Sequence, residues 1–384
     1  MNDQHAKHSA DTGKTRQGSL LKRILKGFGA VLVLIVVLVA LLLAFLSASE
    51  FKPADTEVVA VEGESSRSVS QGDPFRIVSW NIGYGALGED ADFFMDGGSM
   101  VRTVDSAESL ESNMSGISNE ILSRKADVLF LQETDRDSTR SFNVDELQSI
   151  TESVPGYSVS FANNFKAAYV PYPIPPIGKV DSGIATLSSY AVDSAERIQL
   201  PIPFKWPVSM VNLKRCLLVS RLPVQGTDKE LVLVNLHLEA YDNGEGKTKQ
   251  TNMLADIIKA EAEKGNYVIV GGDFNQIFSS SDDSRYPVSA DKWQPGKIQT
   301  ETFGDGWQFL MDEDVPSCRS LDRPYAGADK ENFQYYLIDG FIVSDNIKVK
   351  KCDNQDLGFV YSDHNPVILD AELTVTDDQA KAKR

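Results

Sequence analysis

Cysteine and histidine are the scarce residues of this chain. Its three cysteines, Cys216, Cys318 and Cys352, show no CxxC spacing, which argues against the common zinc modules and against a disulfide framework. Cys216 lies inside the apolar run Cys216-Leu217-Leu218-Val219, the setting of a small buried residue rather than a reactive thiol. Repeats of solenoid or propeller type are absent, and no run of basic residues interleaved with aromatics marks a nucleic-acid arm. Positive charge is also short: 38 Lys and Arg stand against 55 Asp and Glu, for a net charge of −17. Taking away the +4 of the first 28 residues leaves −21 on the remainder. So acidic a body repels a long polyanion unless a local basic stripe or divalent cations offset the field.

What the chain does have is one long apolar run. From Gly27 to Ser49 no residue is charged, and Ala30 to Leu46 is almost wholly Val, Leu, Ile and Ala. About twenty such residues at about 1.5 Å each cover the roughly 30 Å of a bilayer's hydrocarbon. Lys7, Lys14, Arg16, Lys22, Arg23 and Lys26 precede the run, against Asp3 and Asp11, while Glu50, Lys52 and Asp55 follow it. The positive-inside rule then keeps the N-terminus cytoplasmic and sets the remainder outside, on the cell surface or in a periplasm. A cleaved signal peptide is the rival, with Ser47-Ala48-Ser49 as a small-residue cleavage site, but the run is long for one.

The expected division is a basic cytoplasmic tail (1–26), a transmembrane anchor (27–49), a linker rich in Ser, Glu and Asp (50–74), one folded domain (75–375) and a flexible tail (376–384). Within the linker, Glu57–Val61 could add a short edge strand. About 300 residues can bury one large core without a second domain. Helices are expected at Ser112–Arg124, Val144–Val154 and, most clearly, Lys249–Lys264. There Met253, Leu254, Ile257 and Ile258 mark one face and Gly265 caps the end.

Only four histidines occur, and the two beyond the N-terminal tail sit in short polar motifs. In order these are Ser79-Trp80-Asn81, Leu131-Gln132-Glu133, Asn235-Leu236-His237-Leu238, Gly272-Asp273-Phe274-Asn275, Ile338-Asp339 and Ser362-Asp363-His364-Asn365-Pro366. Nearly all close an apolar run that reads as a buried strand: Phe75–Ser79, Val128–Leu131, Leu231–Val234, Tyr267–Val270 and Tyr336–Ile338. The last motif instead opens Val367–Leu369. Polar groups therefore converge at one edge of a sheet core. The helix at Lys249–Lys264 returns the chain from His237 to the strand carrying Asp273, a local β–α–β order.

Six motifs in this order resemble the endonuclease/exonuclease/phosphatase superfamily, which includes deoxyribonucleases, apurinic endonucleases and neutral sphingomyelinases. The resemblance spans Phe75 to Leu373. It implies an α/β fold, a four-layer αββα sandwich of two packed mixed sheets, and a phosphoesterase dependent on Mg2+ or Mn2+. It further implies that Asn81 and Glu133 form the main metal site, with Asp363 as an additional ligand, and that Asp273 activates water. Asn275 would hold that water or a phosphoryl oxygen. His364 would contact the scissile phosphate while Asp339 fixes its tautomer and charge, and His237 would stabilise the pentacovalent state or assist the leaving oxygen.

Residue chemistry is consistent with this: phosphodiester cleavage needs a hard cation, a base for water and donors for the growing charge. Taken singly, Asn81 is an ordinary turn residue, Asp339 a partner for an arginine and His237 a satisfied core histidine. Taken together they would require several coincidences. For substrate contact the candidates are Arg136 and Arg140, just after Glu133, and Lys179, beside the Pro-rich loop Tyr169–Gly178. Lys166, Lys214 and Arg215 are further cations. A phosphodiester substrate is expected, with nucleic acid narrowly ahead of a lipid head group, and no protein partner is implied. A binding module on a dead catalytic fold is disfavoured because every polar position is filled.

Overall fold

The computed structural model describes residues 11–101 and 103–375, with the backbone alone over 11–20. The expected flexible tail at 376–384 and the first ten residues of the basic tail lie outside the described residues. Two compact units result, Met1–Glu50 and Phe51–Arg384. The first contains helix α1 (Asp11–Ala48), whose stretch Leu21–Ala48 has a mean hydropathy of 3.3 and is long and apolar enough to cross a bilayer. A signal sequence passes the same test.

The second unit holds two seven-stranded sheets. Edge to edge, the first runs β1 (Thr56–Val59), β7 (Ser194–Gln199), β8 (Cys216–Pro223), β9 (Glu230–His237), β10 (Tyr267–Asp273), β16 (Asp339–Ser344) and β13 (Trp307–Leu310). The second runs β17 (Ile347–Asn354), β18 (Val367–Leu373), β3 (Pro74–Asn81), β4 (Val128–Asp135), β6 (Gly178–Ser188), β5 (Ser158–Val170) and β2 (Val61–Glu62). Two short ladders complete the set: β11 (Gln276–Phe278) with β12 (Gly296–Ile298), and β14 (Cys318–Arg319) with β15 (Tyr335–Tyr336). Residues 56–62, expected to offer one edge strand, supply the edge of both sheets, because β1 pairs with β7 and β2 with β5.

Alternation along each strand builds the layers. On β3, Phe75 and Ile77 join Phe130, Leu231, Leu233, Ile269 and Phe341 in the core between the sheets. Val78 and Trp80 face the other way, onto the apolar faces of α2 (Ala107–Arg124) and α3 (Glu146–Ser153). Against the first sheet, α4 (Glu245–Glu263) packs Leu254, Ala255 and Ile258 on Val232, Val234, Val268 and Val270. The four-layer sandwich is thus present, each fully buried large side chain contributing about 1.5–3 kcal/mol. Helix α2 starts five residues before the expected Ser112 because the Ser106 hydroxyl accepts the Ser109 N–H at 3.2 Å and caps it.

Direction of pairing decides where the polar motifs end. Strands β3 and β4 are parallel, as are β9 and β10. Their outer neighbours β18 and β16 are antiparallel to β3 and β10. The C-terminal ends of four strands and the N-terminal ends of two therefore share one edge. Asp339, expected to close a strand at Tyr336–Ile338, instead opens β16. Reversed polarity delivers it to the same edge, directly opposite Asp273, which is also in register with His237.

Candidate active site

Beneath the site, buried amides join the sheets. Gln132 donates through Nε2 to Asn235 Oδ1 at 2.8 Å, and Asn235 donates through Nδ2 to the Ala185 carbonyl at 2.8 Å. This ties β4, β6 and β9 together one residue below Glu133 and two below His237. The neighbouring approach of β10 to β9 requires glycine: a Cβ on Gly272, at φ 143°, would fall 2.0 Å from the Leu236 carbonyl oxygen.

Above this layer the motif side chains meet. The β4–β6 register slips between Leu131 and Thr134, and Glu133 adopts φ 52°, a bulge of the kind that re-aims a side chain at the end of a strand. Glu133 Oε1 lies 3.2 Å from Asn81 Nδ2 and 3.9 Å from His237 Nε2. Asp273 is the hub: Oδ1 accepts the Asn275 N–H at 2.8 Å, while Oδ2 lies 3.1 Å from Asn81 Nδ2, 3.3 Å from His237 Nε2 and 3.8 Å from His364 Nε2. Asn275, itself at φ 51°, is anchored through Nδ2 to the Leu238 carbonyl at 2.9 Å. Asp339 Oδ2 sits 2.8 Å from His364 Nδ1. Backbone contacts hold that histidine too, since Trp80 Nε1 donates to its carbonyl at 2.8 Å and its N–H donates to Ser362 Oγ.

Electrostatics separate the two imidazoles. Burial pulls both down, but at His364 the carboxylates of Asp339 and Asp363 outweigh it, so its pKa rises well above the usual value and the ring is cationic. His237 has no such partner for Nδ1. Burial, with Arg215 and His364 nearby, drives its pKa well down, so it is neutral. Carboxyls move the other way: burial and then the charge of Asp339 push Asp273 up to about 7. Asp363 rises to about 6 through burial and the nearby charge of Glu133.

Such a crowd of acids, short of cations, is a donor set suited to Mg2+ or Mn2+, which prefer oxygen ligands and would relieve the repulsion. Cys318 also neighbours Asp363 and His364, but burial lifts its thiol to about 12 and leaves it a poor ligand. Asn81 presents Nδ2, not Oδ1, to the carboxylates, because Oδ1 accepts the Gly83 N–H at 3.0 Å. Ligation through its oxygen therefore needs the amide to turn, and the second group of the described residues whose ligand atoms lie within 4.8 Å of one another is Asp273, Asp339 and His364.

The site opens into a cavity of about 620 Å³. Of the three expected substrate contacts only Arg140 lines it, and Arg140 makes two 2.9 Å bonds to Asp135 while covering the Tyr84 ring. Arg136 pairs with Asp145 and Lys179 with Asp137 on the surface. Arg319 was not singled out by its sequence context. It lines the cavity, almost fully buried, and its guanidinium donates to the Gly88 and Ser320 carbonyls. No local sequence signal marks it, since those carbonyls are more than two hundred residues away in one case.

The sequence model of the Endonuclease/Exonuclease/phosphatase family matches residues 78–364. Among solved structures, the endonuclease/exonuclease/phosphatase from Beutenbergia cavernae superposes with a TM-score of 0.53 at 17% identity, covering 78% of this chain and 72% of that one. The endonuclease/exonuclease/phosphatase from Bacteroides vulgatus gives 0.50 at 17% identity, covering 78% and 99%. At such identity the likeness concerns the fold. No curated protein matches the sequence.

Proposed function

The chain belongs to the endonuclease/exonuclease/phosphatase family, and from that premise we propose that it is a divalent-metal-dependent phosphodiester hydrolase. The observation that carries the reading is the junction at Asp273 Oδ2, where a buried carboxyl pushed up to about 7 faces a cationic His364 braced by Asp339 and a neutral His237. Such separation of acid, base and charge roles is what in-line displacement at phosphorus needs.

In this scheme Asp273 Oδ2 takes a proton from water as the water oxygen bonds to phosphorus and the bond to the leaving oxygen breaks. Asn275 sets the orientation of Asp273 through its N–H. His364 donates Nε2–H to a nonbridging oxygen, and His237, held neutral, offers Nε2–H to the phosphoryl or leaving oxygen. Glu133 and Asp363, with Asn81 if its amide turns, would hold Mg2+ or Mn2+, which supplies Lewis-acid neutralisation of the phosphoryl charge. The decisive assay is hydrolysis of methyl p-nitrophenyl phosphate by wild type and by Asp273→Asn with each metal. Equal rates would reject the mechanism.

For location we propose that α1 is an uncleaved anchor, with the basic tail cytoplasmic and the sandwich outside. What supports this is the apolar stretch and its flanking charge asymmetry. External protease should digest the body in intact spheroplasts; protection until lysis would reverse the topology. For substrate, nucleic acid stands narrowly ahead of a lipid head group. What supports it is the exposure of the aromatic side chains Tyr172 and Trp206, residue types that stack on bases.

A further inference from the structure

The long connection between β3 and α2 is built as a roof rather than a free loop. Its base is clamped by the buried Arg319, whose guanidinium donates to the carbonyls of Leu87, Gly88 and Ala91 at 3.3, 2.6 and 3.3 Å, while the Arg319 N–H donates to the Asp363 carbonyl at 3.0 Å. Its tip is a closed turn: Asp92 Oδ1 accepts the N–H groups of Ser99 and Met100 at 2.8 and 2.6 Å, and the Gly98 N–H donates to the Phe93 carbonyl at 2.9 Å. From this tip Phe93, Phe94, Met95 and Asp96 line the cavity, and two of them cross it. The Phe94 ring meets Tyr172 of the β5–β6 hairpin edge-on, 5.8 Å between centroids, and Tyr241 of the β9–α4 loop donates its hydroxyl to Asp96 at 3.3 Å. Strands β4 and β6 separate β3 from β5 in the second sheet, and β9 belongs to the first. The roof therefore spans the end of β4, where Glu133 stands, and joins loops of both sheets over the site.

Charge divides this roof from the floor beneath it. Residues 83–101 contain Glu89, Asp90, Asp92 and Asp96 and no Lys or Arg. On the floor, buried Arg215 lies 3.4 Å from the His237 carbonyl, and its Nε has no hydrogen-bond partner. One phosphoryl group on the floor is therefore attracted, whereas each further phosphate of a strand continuing under the roof meets carboxylates that repel it. Resting on the phosphodiesterase reading and its nucleic-acid form, we propose that residues 88–100 are a specificity element that makes the site a pit: a linkage at the end of a strand enters, and a linkage inside a continuous strand does not. Phe94 and Asp96 are its determining residues, because their contacts with Tyr172 and Tyr241 close the two directions in which a strand would run through.

The test uses the full-length protein in nanodiscs with Mg2+ or Mn2+ and three substrates that share one linkage: thymidylyl-thymidine, a linear oligothymidylate and the same oligonucleotide ligated into a circle. Per linkage, kcat/KM should fall at least about tenfold from the dimer to the circle, and the linear strand should shorten from an end. The double variant Phe94→Ala, Tyr241→Phe removes both contacts across the cavity and should raise the circle-to-dimer ratio at least about fivefold. Asp92→Ala, which frees the tip of the roof, should raise it by a second route. A circle cut as readily as the dimer overturns the inference, as does a linear strand cut first at internal linkages or a ratio unchanged in both variants. Hydrolysis of methyl p-nitrophenyl phosphate with none of the three nucleotides cleaved overturns it too, while leaving the phosphodiesterase reading intact. No hydrolysis of any ester with either metal removes the phosphodiesterase reading and this one with it.

Discussion

Carboxylates cluster near both ends of the β9–β10 pair, Glu230 and Glu261 at one and Asp273 and Asp363 at the other, and the two ends treat them in opposite ways. At the N-terminal end of β9, Arg221 bonds Glu230 at 3.0 Å and Glu261 at 2.9 and 3.0 Å, with Asn266 and Lys264 also on Glu261. The Arg221 bonds hold Glu261 down to about 2. At the other end Asp273 and Asp363 are pushed up, because burial brings acids together with one histidine as the main balancing cation. Where the fold supplies the counter-charge, an acid is part of the structure. Where it withholds it, the acid is poised for a ligand or a proton.

The sharpest way to break this contrast is mutation at each end. Asp273→Asn and His364→Ala should each lower turnover of a phosphodiester by about two orders of magnitude or more, without additivity in the double variant, and Asp273→Asn should leave the melting temperature unchanged or raised. Simultaneous loss of activity and of stability would place the Asp273 end in the structural class.

Metal removal comes next in size. Chelation should abolish activity, and Glu133→Gln should raise the metal concentration needed for half-maximal rate while circular dichroism stays that of the wild type. The two ends should also answer pH with opposite sign. Glu261, depressed from 4.5 to about 2, contributes stability that is whole above about 4.5 and is lost as pH falls towards 2. Asp273, raised from 3.8 to about 7, is an increasing burden on the metal-free fold as pH rises through that interval. Mg2+ should therefore raise the melting temperature more at about pH 8 than at about pH 5, because ligands must be deprotonated to bind. A larger shift at the lower pH would contradict the assignment.

Smaller effects should be confined to stability. Glu261→Gln should cost about 1.5–3 kcal/mol by denaturant titration, the range for hydrogen bonds to charged groups, with kcat unaltered. Arg136→Ala and Lys179→Ala, whose ion pairs lie half-exposed at the surface, should each change stability by less than about 1 kcal/mol. A tenfold rise in KM for either would restore them as substrate contacts.

Much of the fold was legible because apolar periodicity is a local property. The runs at Val128–Leu131, Leu231–Val234 and Tyr267–Val270 became β4, β9 and β10, and the stripe at Met253–Ile258 became the inner face of α4. Motif order likewise indicated that Asn81, Glu133, His237, Asp273, Asp339 and His364 would meet. Tyr336–Ile338 failed as the strand ending at Asp339 because a short apolar run carries no mark of polarity. Pairing with β10 decided that Asp339 begins a strand.

What the sequence by itself determined was the alternation of buried and exposed positions, the presence of an apolar helix at the N-terminus and the polar motifs proposed to react, all written in neighbouring residues. Only the tertiary structure decided their protonation and their surroundings. A pKa depends on which charges lie within a few ångströms and on how much water is excluded. Both conditions are set here by contacts between residues far apart in the chain, His364 on Asp339 and Arg319 on Gly88 among them. The apolar cavity was equally invisible, since its walls come from three separate loops that share a space only once the two sheets have closed on each other.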